Sequence, residues 1–218
     1  MFTLVGCLLT SQAHAENVQE YSIKLLVGEE VQEVVPCMVE QRIAAFCEYP
    51  YLYEGNTKEE SEYCQWFAGL PHSAVAVAYL DGQPVGFVSG TSFVDFGVHF
   101  KESIGLFEEN GFDSKKFYYI PEVIIVPEHR KKGLLENLHD LIEQHAKSIG
   151  YKATCLVEES HDNHPLKPVA YQSHNGLWLK LGYSQTQMII TFPWLTIQAD
   201  GSLKDEMHRL RYWIKNLD

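Results

Sequence analysis

No stretch of the sequence approaches 18 consecutive apolar residues, so nothing in it reads as a membrane-spanning helix. Basic residues are scarce. Lys plus Arg number 17 against 29 Asp plus Glu, a formal net charge of −12. Nucleic acids and anionic membranes are bound through basic faces, so neither is an expected partner. The acidic excess suits a cationic or amine-bearing partner, and it also serves solubility. Five cysteines, odd in number and without paired spacing, do not make a disulfide framework. Cys37, Cys47 and Cys64 fall at apolar helical positions, where cysteine usually acts as a small buried hydrophobe. Repeats, low-complexity tracts and Pro/Gly/Ser-rich linkers are also missing, so nothing divides the 218 residues. What is present is ordinary globular usage, 45% hydrophobic and 21% charged, which fits one domain with its own core.

Residues 1–15, MFTLVGCLLTSQAHA, have an apolar core from Phe2 to Leu9 and an A-x-A pattern ending at Ala15, as an export signal does. No Lys or Arg precedes that short run, however. Residues 1–20 are therefore expected to be an N-terminal arm on a cytoplasmic protein, with export as the alternative if 1–15 is a signal. The domain itself is expected over 21–218. Its pattern predicts a strand at 21–27, a helical period over 29–46 interrupted near Pro36, and a tyrosine-rich loop at 48–56. A helix over 58–68 and a hairpin follow, with strands 73–79 and 84–93 turning at Asp81-Gly82. A short helix over 101–110 stops at Gly111. The strongest strand, FYYIPEVIIV, covers 117–126. The clearest helix, over 133–149, carries Leu134, Leu135, Leu138, Leu141, Ile142, His145, Ala146 and Ile149 at helical spacing. A strand at 151–157, a polar loop to Pro168, a helix over 169–181, a strand at 183–192 and a final edge strand around Leu210–Ile214 complete the chain. The fold class is α/β (α+β), a mixed sheet with a partly parallel centre.

Chemistry concentrates in IPEVIIVPEHRKKGLLENL, residues 120–138. A buried strand ends at Val126, a loop carries His129, Arg130, Lys131 and Lys132, and a helix opens at Gly133. The first N–H groups of a helix have no intrahelical partner, and the helix dipole adds positive charge there. Such a turn suits a phosphate or pyrophosphate. Taken as charge alone, it would be a solvated turn.

The segment Ile125-Val126-Pro127-Glu128-His129-Arg130-Lys131-Lys132-Gly133-Leu134-Leu135 resembles motif A of the GNAT superfamily of N-acetyltransferases, V-x-P-x-x-[RQ]-x-x-G-x-[GA]. It departs at Ile125 for Val and, more substantially, at Leu135, where the family has Gly or Ala for close approach of a pyrophosphate. The resemblance covers residues 21–217, taking in EYPYLYEGN, the DGQPVG hairpin, the HPLKP loop and the ending WLKLGY in the order of one bacterial subgroup. It implies a GNAT-type sheet whose parallel centre splays apart, and acetyl-CoA as co-substrate. Main-chain groups of Ile124, Ile125 and Val126 would hold the pantetheine arm. Amides from Arg130, Lys131, Lys132, Gly133, Leu134 and Leu135 would hold the pyrophosphate. The reaction implied is direct attack of an amine on the thioester, the amine belonging to a small molecule or an exposed amino group. A homodimer is among the assemblies open to such a domain.

Direct attack needs a base, and Glu122, eight residues before Arg130, stands where many relatives place an acidic group. Its other reading is a structural carboxylate bonded to the neighbouring strand. Where relatives use a tyrosine as the acid for the leaving thiolate, this chain has Trp178, whose indole is only a weak donor. Tyr171 is the nearest substitute, with a packing role as its alternative. Tyr49, Tyr51 and Tyr53 are candidates to wall the acceptor pocket, and His164 to contact substrate. No metal is expected. His161-x-x-His164, with Glu158, Glu159 and Asp162 nearby, could be read as metal ligands. The two-residue gap is common by chance, however, and a specific site shows three or four placed ligands. Cys155 reads as strand core, not as a nucleophile. Two alternatives stand beside the N-acetyltransferase: a non-catalytic acyl-CoA-binding module, and an acyltransferase using another donor or an oxygen acceptor.

Overall fold

The computed structural model describes residues 20–97, 100–159 and 164–218. The signal-like segment and His161 lie outside them. The first strand, β1 (Ser22–Val27), is followed by a 3-10 turn, Gly28–Val34, and then by helix α1 (Val35–Phe46). The helical period read over 29–46 is thus split. Pro36 sits in the first turn of α1, the place where its missing N–H costs nothing. Helix α2 (Thr57–Ala68) starts at Asn56, whose side chain accepts the Glu59 amide at 3.0 Å. Strands β2 (Ala74–Leu80) and β3 (Gln83–Ser92) form the expected hairpin, Asp81 and Gly82 both taking positive φ as its tight turn demands. A one-turn helix, α3 (Phe93–Phe96), leads to α4 (Lys101–Glu109).

The strand expected over 117–126 is two strands. Strand β4 (Phe117–Tyr119) pairs in parallel with β6 (Ala153–Glu159), and β5 (Val123–Ile125) pairs only with β3. Pro121, with no N–H to offer a ladder, lies in the break. Helix α5 (Leu134–Ser148) buries Leu134, Leu138, Ile142 and Ala146 in one core cluster with Ala74, Ala76 and Ala78 of β2. Helix α6 (Asn175–Lys180) is half the length expected for 169–181.

The last two strands also depart from expectation. Strands β7 (Ser184–Ile197) and β8 (Leu203–Asn216) are fourteen residues each, and β8 lies inside the sheet, between β6 and β7. The edge strand on that side is β7, and β1 forms the other edge. The order is β1-β2-β3-β4-β6-β8-β7, with β5 beside β3. Two core clusters form. One gathers α1, α2 and Phe107 of α4, the other α5 and Trp178 of α6. Cys64 and Cys155 are buried as expected, whereas Cys47 is exposed at the end of α1. No helix among the described residues is long and apolar enough to cross a membrane.

Candidate active site

Parallel pairing between β4 and β6 ends at Tyr119 opposite Cys155, after one further bond from the Ile120 amide to Cys155 O (2.9 Å). Beyond that point β5 follows β3 and β6 follows β8, so the sheet opens. A cleft of about 1220 Å³ lies in the opening. Antiparallel ladders spend alternate residues on each edge. The Val126 amide donates to Val85 O (3.0 Å) and Glu122 O accepts from the Ser89 amide (3.1 Å), so Val123 and Ile125 present their groups to the other edge. Of the expected trio, then, only Ile125 offers its main chain to the cleft. Ile124 pairs with Phe87, and Val126 is not among the lining residues.

The turn after β5 supplies the polar end. Arg130 spends its amide on Pro127 O (3.2 Å) and its Nε on Ile125 O (2.9 Å), while its guanidinium reaches Glu48 Oε2 at 3.3 Å. Lys131 (φ 61°) and Gly133 (φ 76°) are left-handed, a geometry that turns successive amides into one concavity. The first helical bond runs from the Asn137 amide to Gly133 O (3.4 Å), which leaves the amides of Leu134 and Leu135 outside the ladder. Lys132 is set back from the cleft, its Nζ donating to the Tyr21 hydroxyl at 3.1 Å. Leu135 is among the residues that line the cleft.

Across the cleft stand Tyr49, Tyr51 and Tyr171, with the Tyr49 and Tyr171 rings edge to face at 4.5 Å. The tyrosine loop is held by β7. The Trp194 indole donates to Tyr51 O (3.0 Å), the Ile197 amide to Leu52 O (2.7 Å), and the Glu54 amide to Leu195 O (3.0 Å). Tyr53 is bridged to Thr196 and is not among the lining residues. Neither is His164, whose Nδ1 accepts the Leu166 amide at 3.2 Å.

Glu122 is buried at 1% exposure. Its carboxylate accepts from the Arg42 guanidinium, from the Tyr63 hydroxyl at 2.5 Å and from the Ser89 hydroxyl. Arg42 also pairs with Glu60 at 2.6 Å and lies over the Tyr63 ring at 4.0 Å. Set against the expected base, these are the surroundings of an anchor: three donors, one of them a fixed cation, occupy the oxygens. Cys155 is fully buried and burial pushes its thiol well above the ordinary value.

Two groups near the cleft were not expected to act together: Glu158, noted in the sequence only beside His161 and His164, and His174. Strand β6 runs two residues beyond the predicted end, which brings Glu158 into the sheet. His174 lay inside a predicted helix but immediately precedes α6 and lines the cleft. The His174 amide donates to Glu158 Oε1 at 3.2 Å, and its Nδ1 lies 3.6 Å from the same oxygen. Burial pushes the Glu158 carboxyl up to about 7, opposed by the His174 amide and by the indoles of Trp178 and Trp213. Neither indole nitrogen closes a hydrogen bond of ordinary geometry. Burial, then the Arg130 charge, holds the His174 imidazole below its usual value. Burial, then the Glu158 and Glu159 carboxylates, raises the Tyr51 phenol.

The family described as Acetyltransferase (GNAT) family matches residues 40–172, more than half of the chain. Among solved structures, the chain is similar to an N-acetyltransferase from Staphylococcus aureus Mu50 (13% identity, TM-score 0.57, covering 91% of this chain and 99% of that one). It is similar to a Salmonella typhimurium protein solved with its cofactor acetyl-CoA (15% identity, TM-score 0.55, 91% and 95%). A ribosomal-protein-alanine N-acetyltransferase from Brucella melitensis has 14% identity and a TM-score of 0.55 over 90% and 99% of the two chains. At these identities the likeness is one of fold. No curated protein matches the chain.

Proposed function

The chain belongs to the GNAT acetyltransferase family, and from that premise we propose that it moves the acetyl group of acetyl-CoA onto a primary amine by direct attack. One observation carries the reading: the second edge of β5, which faces the cleft and whose Ile125 carbonyl takes one bond from Arg130 Nε, runs straight into the left-handed turn at Lys131 and Gly133. An extended pantetheine arm can add to Val123 and Ile125 as a strand would. The amides of Lys131 to Leu135 then face its pyrophosphate, with Arg130, Lys131 and Lys132 adding charge nearby. Tyr49 and Tyr51 wall the acceptor end. Tyr171 is the phenol available in the cleft to return a proton to the departing sulfur, since Trp178 has no comparable acidity. We assign Glu122 to anchoring α1 and α2 on the sheet through Arg42 and Tyr63.

The test is free-thiol release from acetyl-CoA over a panel of primary amines, alongside thermal melting with and without acetyl-CoA. Both a raised Tm and thiol release are expected. A raised Tm without release from any acyl-CoA would leave a binding module. Release only with longer acyl donors or with alcohols would change the donor or the acceptor class. Because acetyl-CoA is a cytosolic metabolite, the reading also favours a cytoplasmic enzyme. Mature protein beginning at Glu16 in an exported fraction would overturn that assignment.

A further inference from the structure

With Glu122 committed to Arg42, the acceptor's proton needs another destination. Around the cleft, His174 and Glu158 form a built pair. The His174 side chain keeps 41% of its exposure and lines the cleft, while that of Glu158 keeps 7% and stands behind it. The imidazole is held between two aromatic neighbours, Tyr171 (6.3 Å) and Trp178 (6.2 Å), each edge to face. Its Nδ1 is turned to Glu158 Oε1, and the backbone bond from its own amide to the same oxygen fixes the segment on the end of β6. A base within reach of substrate, oriented by a buried carboxylate on its far nitrogen, is a recurrent arrangement for moving a proton.

We propose that His174 accepts the proton of the acceptor amine, with Glu158 as the positioning residue behind it. This rests on the acetyl-transfer reading above. The ammonium form of the acceptor loses one proton to His174 Nε2, and its freed lone pair attacks the thioester carbon. The N–C bond forms, the C–S bond breaks, and the second proton lost by nitrogen goes with the sulfur as free thiol. The proton on His174 passes to solvent, so the sum is amide, thiol and one released proton. Glu158 stabilises the imidazolium while it lasts.

Other charged or titratable groups stand near the pair: Arg130 on the turn, Tyr51 on the tyrosine loop and Tyr171 before α6, while Glu159, next on β6, pairs with His208 at 3.1 Å. The two members titrate together. Above about pH 7 both are deprotonated and the pair can take a proton. Below that, Glu158 fills first and His174 after it. The rate should therefore fall on the acid side as pH drops through about 7.

Thiol release by the unaltered protein over the amine panel decides the transfer reading by itself, and a chain that releases thiol with no amine overturns both readings. Variants are then compared on the best amine. His174→Gln should lower kcat by about 10²-fold or more, the ordinary range for a lost base, with the KM for acetyl-CoA and the thermal shift it produces unchanged. Glu158→Gln should lower kcat less and move the acid limb to lower pH, because His174 then titrates alone. A purely structural role for Glu158 would change Tm alone and leave the limb in place. A normal rate in His174→Gln at pH 7.5, or an unmoved limb in Glu158→Gln, overturns the pair and leaves acetyl transfer standing.

Discussion

A guanidinium taken out of water must be paired, and Arg42 is paired with both Glu60 and Glu122, beneath the Tyr63 ring. Removing one partner from a buried pair costs about 3–5 kcal/mol when nothing replaces it. Glu60 remains in Glu122→Gln, so the loss should sit at or below the lower end of that range. It should appear as a lower Tm, with the acid limb of the rate profile unchanged. A lost limb with full stability would return Glu122 to the chemistry. Gly133 makes a different demand. A Cβ there meets nothing within 4 Å, so the cost of Gly133→Val lies in its positive φ and not in a clash. A left-handed β-branched residue costs roughly 1–2 kcal/mol, which the turn can escape by unwinding. The fold should persist while the acetyl-CoA-induced rise in Tm disappears, a comparison made by melting both proteins with and without the ligand.

Strand β5 walls one side of the cleft, and Gly86 fixes how closely β3 approaches that strand. A Cβ at Gly86 would lie 2.7 Å from the Ile124 carbonyl oxygen, a backbone atom with no rotamer to yield. Gly86→Ala should therefore cost about 1–3 kcal/mol as overpacking does, and should reduce the acetyl-CoA thermal shift by displacing β5. An unchanged shift would separate cofactor binding from the β5 edge. At this scale the sequence was legible wherever a local signal existed. Asp81-Gly82 marks its hairpin, Gly111 and Gly150 end their helices with positive φ, and the spacing of Leu134, Leu138 and Ile142 marks the face of α5. The turn at Arg130 to Leu135 was legible for the same reason. The break at Pro121 was not, since residues 117–126 are uniformly β-forming and only tertiary pairing separates the part that follows β6 from the part that follows β3. The partners of Glu122 come from α1, α2 and β3, contacts that no spacing encodes. Glu158 and His174 meet across a loop, and neither has a motif.

For the molecule as a whole, the buried carboxyl of Glu158 shapes stability against pH. Its folded value, about 7, lies above the ordinary 4.5, so between the two the folded state binds more protons than the unfolded one. Its contribution to stability therefore falls as pH rises from about 4.5 to about 7, and is flat above that. Glu158→Gln, which resembles the neutral acid, should gain on the unaltered protein across that window, by on the order of 3 kcal/mol at most. Parallel melts at pH 4.5 and pH 8 check the sign. A constant difference in Tm would mean that Glu158 is not held as the structure shows.

The place of β8 in the sheet has a bearing on how the chain comes into being. A polypeptide is made from its N-terminus, and all of the residues that line the cleft precede Leu203. The β6 side of that surface is not secure when it emerges, because β6 and β7 share a partner that is synthesised after both. A premature stop between Ile197 and Leu203 spares every cleft residue and still leaves two strand edges bare, the template for joining another chain. Such a product should be lost to aggregation or degradation instead of surviving in weakened form, so β8 acts as a check on the folding of everything before it.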